Sequence, residues 1–170
     1  MQKMDSESLY HFLDHHLIQY EKHEHVAVYT SEQARRLIPT LLGNSAKNLF
    51  LRTKKDIRYF LLAFPDKKSV NLKSLASELG LPRLSLASPE KLMDILGIEP
   101  GAVSILALVN DTSNEVEVLL DHELWQADQI QCHPLINTET LVIPHQGIVK
   151  FLEVTGHKVN LVDIPSPLSA

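Results

Sequence analysis

Lys47-Asn48-Leu49-Phe50-Leu51-Arg52-Thr53-Lys54-Lys55-Asp56-Ile57-Arg58-Tyr59-Phe60-Leu61-Leu62-Ala63-Phe64 reads as two β-rich runs joined by a charged turn. Residues 48–53 and 57–64 have the β-branched, aromatic and leucine content of strands, and Lys54-Lys55-Asp56 supplies a hairpin connection. Pro65-Asp66-Lys67-Lys68 then breaks the second run. Lys47 and Asn48 stand at the mouth of the first strand. Burying an unpaired ammonium is costly, and a strand fixes where it points, so Lys47 is placed to capture an anionic or carbonyl oxygen. The plainer alternative is a loop-end lysine whose stem lies on the protein and whose head stays in water.

Outward from the hairpin, helical and extended patterns are mixed. Leu9, Phe12, Leu13, Leu17 and Tyr20 recur at helical spacing over residues 5–20, with Asp5 or Ser6 as cap. Residues 25–29 read as a short strand, and Thr30 or Ser31 opens a helix that Pro39 ends. Leu72, Leu75, Ala76 and Leu79 form a helical stripe with Asn71 as cap and Gly80 as stop. Residues 84–87 are a short strand. Ser88-Pro89-Glu90 opens a helix that Gly97 ends. Residues 102–109 form a nearly continuous apolar run and are expected as a central strand. Strands follow at 116–120, 141–143 and 159–162, with a helix at 145–155 and an irregular piece at Leu124-Trp125. The pattern predicts an α+β (mixed α/β) fold. It is expected as one domain over residues 1–170, a single mixed sheet flanked by helices, with 165–170 a loose tail.

The chain has 170 residues, ample for a core, and a net charge of −5 argues against a general nucleic-acid binder. Residues 35–83 nevertheless hold eleven Lys and Arg against three acids, a local excess of +8. Such a region can dock a phosphate backbone, or simply be a solvated face. No apolar run reaches membrane-span length, and the N-terminus lacks the basic-then-apolar order of a signal peptide. With one cysteine, Cys132, a cytoplasmic location is expected.

Three polar clusters interrupt apolar strand ends: Lys47-Asn48, Gly101-Ala102-Val103-Ser104, and His133-Pro134 with Asn137 and Thr138. Gly101 permits close backbone approach, and successive amides there are candidates to bind an oxygen, unless it is a plain turn glycine. His133 precedes proline, which restricts it to extended geometry; it is a site residue or a satisfied structural histidine. Cys132 beside it is poorly placed to act as its partner, because neighbours on a strand face opposite ways. His11 and His15 have helical metal-pair spacing but no third ligand. Nucleotide-binding loops, Gly-x-Ser-x-Gly and Cys-x-x-Cys are absent, and no metal or other cofactor is expected.

Taken in order, His25-Val26-Ala27-Val28-Tyr29-Thr30 with Glu32, Lys47-Asn48-Leu49-Phe50-Leu51, Arg83-Leu84-Ser85-Leu86-Ala87, Pro100-Gly101-Ala102-Val103-Ser104, Asn110-Asp111, His133-Pro134-Leu135-Ile136-Asn137-Thr138 and Gly156-His157 resemble the YbaK and prolyl-tRNA editing superfamily. The likeness is greatest to its free-standing ProXp-ala (PrdX) branch. The resemblance implies a curved mixed sheet and an aminoacyl-tRNA deacylase that hydrolyses mischarged tRNA(Pro), chiefly alanyl-tRNA(Pro). It implies Lys47 and His133 as catalytic-site residues. Asn48, Gly101, Ala102, Val103, Ser104, Asn137 and Thr138 are then substrate-binding. Arg52, Lys54 and Lys55 become candidates for tRNA contact. Proline tRNA is the implied partner, with prolyl-tRNA synthetase a further candidate, and neither DNA nor membrane is expected. The superfamily loop usually ends in proline where this chain has Ile105, and often has serine where Ala102 stands. Removal of cysteine or serine therefore stays open, as does a non-catalytic module that binds a tRNA end or a synthetase. Editing answers a physical limit: a missing methylene gives a synthetase pocket only about 1–3 kcal/mol of discrimination.

Overall fold

The hairpin forms as read. In a computed structural model that describes residues 2–27, 32 and 44–165, strand β2 (Ala46–Thr53) pairs antiparallel with β3 (Tyr59–Pro65) across a tight helical turn at Lys54–Asp56. Every residue of β3 is buried. Tyr59, Leu61 and Ala63 enter the larger of two cores, and Phe60, Leu62 and Phe64 enter the smaller. A strand covered on both faces reads as an unbroken apolar run.

Around this hairpin the chain lays α1 (Ser6–His15), β1 (Glu21–Glu24), α2 (Leu72–Glu78), β4 (Leu84–Leu86), α3 (Pro89–Leu96), β5 (Val116–Asp121), α4 (His122–Trp125), β6 (Gln129–Cys132), β7 (Glu139–Pro144), α5 (His145–Thr155) and β8 (Val159–Val162). The caps follow the sequence: Asp5, Asn71 and Ser88 each accept an N–H from the first turn of their helix. The expected single sheet is instead two. One has the order β4-β2-β3-β5-β8, with β3, β5 and β8 parallel; the other is the antiparallel β1-β7-β6. They meet where Asn44, just ahead of β2, bridges Ile130 of β6.

Four further expectations are corrected. The 102–109 run is no strand: Ile105–Asn110 is a 3-10 helix buried at every position, and Ser104 caps it by accepting the Leu106 N–H. Burial on all sides removes the periodicity that separates strand from helix. The first helix ends at His15, because Leu17 takes a left-handed φ of +59° and Ile18 N–H turns back to the Leu13 carbonyl. That closure is a Schellman-type stop with leucine in the usual glycine place, and it leaves Leu17 89% exposed. The strand expected at 25–29 does not form at residues 25–27, and residues 28 and 29 lie outside the described ones; the strand here is Glu21–Glu24. The helix expected from Thr30 or Ser31 and the tail beyond residue 165 also lie outside them. Leu124-Trp125, expected irregular, belongs to α4.

Candidate functional site

Strand alternation divides the first polar cluster. Asn48 pairs with Ala63 and shares its face with Ala46 and Phe50, which pack on the larger core with Ala102, Ile105 and Leu135. Lys47 pairs with Phe64 and leaves on the face of Leu49 and Leu51, over the core that holds Leu75 and Ala76. The two neighbours therefore straddle the mouth of β2. Lys47 is half-buried, and among the described residues its hydrogen bond is a long one, Nζ to the Lys68 carbonyl at 3.5 Å. A contact of that length commits the ammonium only weakly and, among the described residues, leaves donors available.

The second and third clusters are joined from inside. Ser104 is fully buried, and its hydroxyl donates to the His133 carbonyl at 2.7 Å while accepting the Leu106 N–H at 3.0 Å. Ser104 therefore holds the 101–105 loop against the chain leaving β6, and its hydroxyl is already spent. Pro100-Gly101 forms the turn, closed by Ala102 N–H to the Glu99 carbonyl, with Gly101 at φ +94°. Only glycine takes that conformation without strain. The Ala102 amide is thus engaged in the turn and not offered to a ligand. Ala102 and Asn137 line a cleft of about 250 Å³ with Met93, Gly97, Ile98, Glu99, Pro100, Leu135 and Ile136. Val103 is half-buried and Thr138 is exposed.

His133 is half-buried. Its Nδ1 lies 3.0 Å from the Glu139 carbonyl, which can only accept, so Nδ1 carries the hydrogen and Nε2 presents a lone pair. Burial pulls its pKa below the ordinary histidine value; the Glu139 bond opposes this, and nearby His25 adds to it. His25 stands 6.2 Å away ring to ring, and its Nε2 meets Thr140 Oγ1 at 2.8 Å. Cys132 is buried, and burial pushes its thiol up to about 12, which removes it as a nucleophile at neutral pH.

Behind Lys47 stands a network that the sequence reading missed. Lys68 is 8% exposed, with Nζ 3.0 Å from Asp121 Oδ2 and 3.1 Å from Glu123 Oε2. Burial works against its charge, but the bonds to Asp121 and Glu123 outweigh it and hold the Lys68 pKa above the ordinary lysine value. Asp121 also accepts the Glu123 and Ile164 N–H groups. In the sequence Lys68 is part of the breaker after the second run, and nothing local marks it or Asp121 as buried.

The basic candidates sit elsewhere. Arg52 and the exposed Lys54 and Lys55 occupy the other end of β2 from Lys47, about 17–23 Å away along the strand. Arg52 is ion-paired with Asp56 at 3.0 Å, and Arg58 makes a bidentate pair with Glu117. The local charge excess is therefore partly neutralised, while Lys54 and Lys55 stay on the surface. Arg35 and Arg36 lie outside the described residues.

Residues 25–151 match the family model of the aminoacyl-tRNA editing domain. The chain is 31% identical over 152 residues to the prolyl-tRNA editing protein ProX of Acetoanaerobium sticklandii, covering 89% of this chain and 93% of that protein. It is 38% identical over 136 residues to the prolyl-tRNA synthetase associated domain-containing protein 1 of Danio rerio, covering 79% and 73%. A solved structure provisionally described as a trans-editing enzyme for prolyl tRNA synthetase superposes with a TM-score of 0.68 over 96% of this chain and 98% of that one. At 17% identity that likeness is one of fold. The chain belongs to the aminoacyl-tRNA editing domain family and is an aminoacyl-tRNA deacylase.

Proposed function

We propose that this deacylase acts in trans on tRNA(Pro) and removes alanine. The observation that carries the reading is the 31% identity to a prolyl-tRNA editing protein over nearly the full length of both chains. The cluster at the mouth of β2 is consistent with it. Lys47 approaches from one face, weakly held among the described residues, and Asn48, the 101–105 loop and His133 lie toward the other.

In this reading Lys47 and Asn48 hold the ester and the terminal ribose. His133, neutral with its Nδ1 engaged, offers Nε2 as a hydrogen-bond acceptor. The vicinal ribose hydroxyl helps activate water, which attacks the ester carbonyl. The acyl–oxygen bond breaks, the free amino acid leaves and the ribose oxygen takes up a proton. The cleft that Ala102 and Asn137 line is a candidate for the aminoacyl side chain. A pocket that admits alanine and rejects proline supplies the second sieve that a synthetase lacks. Lys54 and Lys55, about 20 Å from Lys47 along β2, would meet the acceptor region while the unpaired 3′ end reaches the site.

The test is release of labelled alanine from alanyl-tRNA(Pro), with prolyl-, cysteinyl- and seryl-tRNA(Pro) alongside and Lys47→Ala as control. Alanine release that the substitution abolishes supports the reading. Release of cysteine or serine in its place moves the specificity. A folded, fully active Lys47→Ala refutes the role given to Lys47.

A further inference from the structure

Lys47 stands beside a backbone carbonyl, its Nζ in long contact with it at 3.5 Å. That carbonyl belongs to Lys68, the last residue of the turn at 65–68. The turn is tied twice by its backbone, Lys68 N–H to the Pro65 carbonyl at 3.0 Å and Asp66 N–H to the Ser45 carbonyl at 3.1 Å. Its third tie is the Lys68 side chain, which reaches across to the end of β5 and meets both oxygens of Asp121, at 3.3 and 3.0 Å. Asp121 is 0% exposed and is itself held by two backbone N–H groups, from Glu123 and Ile164. The anchor is therefore rigid. A buried ion pair contributes little net stability, because desolvation offsets the attraction, so stability alone gives a weak reason for it. Its geometric effect is direct: it fixes the Lys68 carbonyl and the turn that borders the Lys47 ammonium.

We propose that Lys68 and Asp121 are positioning residues for Lys47, their buried ion pair fixing the 65–68 turn that flanks the Lys47 ammonium and so limiting the directions it can take toward the substrate. This rests on the reading of Lys47 given above. Neither residue need touch the substrate. Glu123 braces the pair from the surface side, where Lys67 also holds it at 2.7 Å.

The experiment measures kcat and KM for alanine release from alanyl-tRNA(Pro) by the full chain and its Lys68→Met, Lys68→Arg, Lys68→Met/Asp121→Asn and Lys47→Ala forms. A displacement of about 1 Å at a reacting group can cost about 100-fold, so Lys68→Met is expected to lower kcat at least about tenfold. KM should stay within about threefold, because substrate contacts are untouched. Lys68→Arg, which can re-form the pair, should recover kcat to within about threefold of the native chain. Where Lys68→Met fails to fold, the double variant leaves no buried charge unpaired and is read in the same way. Native kcat in the folded double variant, with Lys47→Ala inactive, overturns the positioning role and leaves the deacylase reading standing. Equal loss in Lys68→Arg and Lys68→Met overturns it too. Full activity in Lys47→Ala refutes the role of Lys47 itself, and this inference with it.

Discussion

Ser104→Ala tests whether the 101–105 loop and the His133 segment form one unit. The hydroxyl is fully buried and makes two bonds, donating to the His133 carbonyl and accepting from Leu106 N–H. Losing the cap of the 3-10 helix costs about 1 kcal/mol. Leaving the His133 carbonyl without this donor costs about 1–3 kcal/mol. Removing the hydroxyl also relieves its own burial, by about 1 kcal/mol, so the net expectation is roughly 1–3 kcal/mol. Urea unfolding should show a lower midpoint with an unchanged slope. For a chain of this size the melting temperature should fall by about 2–12 °C. Deacylation should fall as well, since the tie that spaces His133 from the loop is gone. A stability loss under about 0.5 kcal/mol, with kcat unchanged, would refute the coupling.

Other expectations follow from the same geometry. Asp111 accepts from His157 Nε2 at 2.8 Å and from the Glu115 and Val116 N–H groups. Burial pushes its pKa up, but these bonds outweigh it and hold the carboxyl below its ordinary 3.8. The stability it contributes is therefore full above the unfolded-state value and is lost as pH falls through the lower folded one; urea midpoints from pH 7 to pH 3 should show this, and Asp111→Asn should flatten that decline. Because burial favours neutral His133, the acid limb of kcat/KM that it governs should lie below 6.5, and a limb at or above that value would contradict its buried, Nδ1–H setting. Charge reversal at Lys54 and Lys55 should raise KM and weaken its salt dependence, with a smaller effect at the ion-paired Arg52; salt titrations of KM would show it. Leu13→Ala should cost about 2–5 kcal/mol in chemical denaturation, because α1 lies outside the family match yet buries Leu13 completely.

Much of the fold was legible locally. The hairpin at 46–65, the Asn71 and Ser88 caps, the Gly80 and Gly97 stops and the helix at 145–155 each carry their own marks: periodicity, a capping oxygen, or a residue that tolerates positive φ. The residue types of the candidate site stand out in the sequence as well. Lys47 is a charge beside an apolar run, Pro100-Gly101 is a turn signal, and His133 is restricted by the proline that follows it.

Other features depend on partners far along the chain. Glu21–Glu24 holds no apolar residue and is a strand only because β7 offers it an edge. The 102–109 run and the 3-10 helix it became have the same apolar composition; complete burial, with Ser104 bonded to His133 at 29 residues' separation, chose between them. Lys68 and Asp121 lie 53 residues apart and look like ordinary surface charges until the parallel pairing of β3 with β5 sets their ends side by side. Composition and short-range spacing were enough to determine that the chain carries a hairpin, capped helices and three polar clusters. Which face Lys47 leaves from, which hydroxyl joins the loop to the histidine, and which charges are buried were decided only by long-range packing, because burial and strand pairing belong to pairs of segments and not to any one of them.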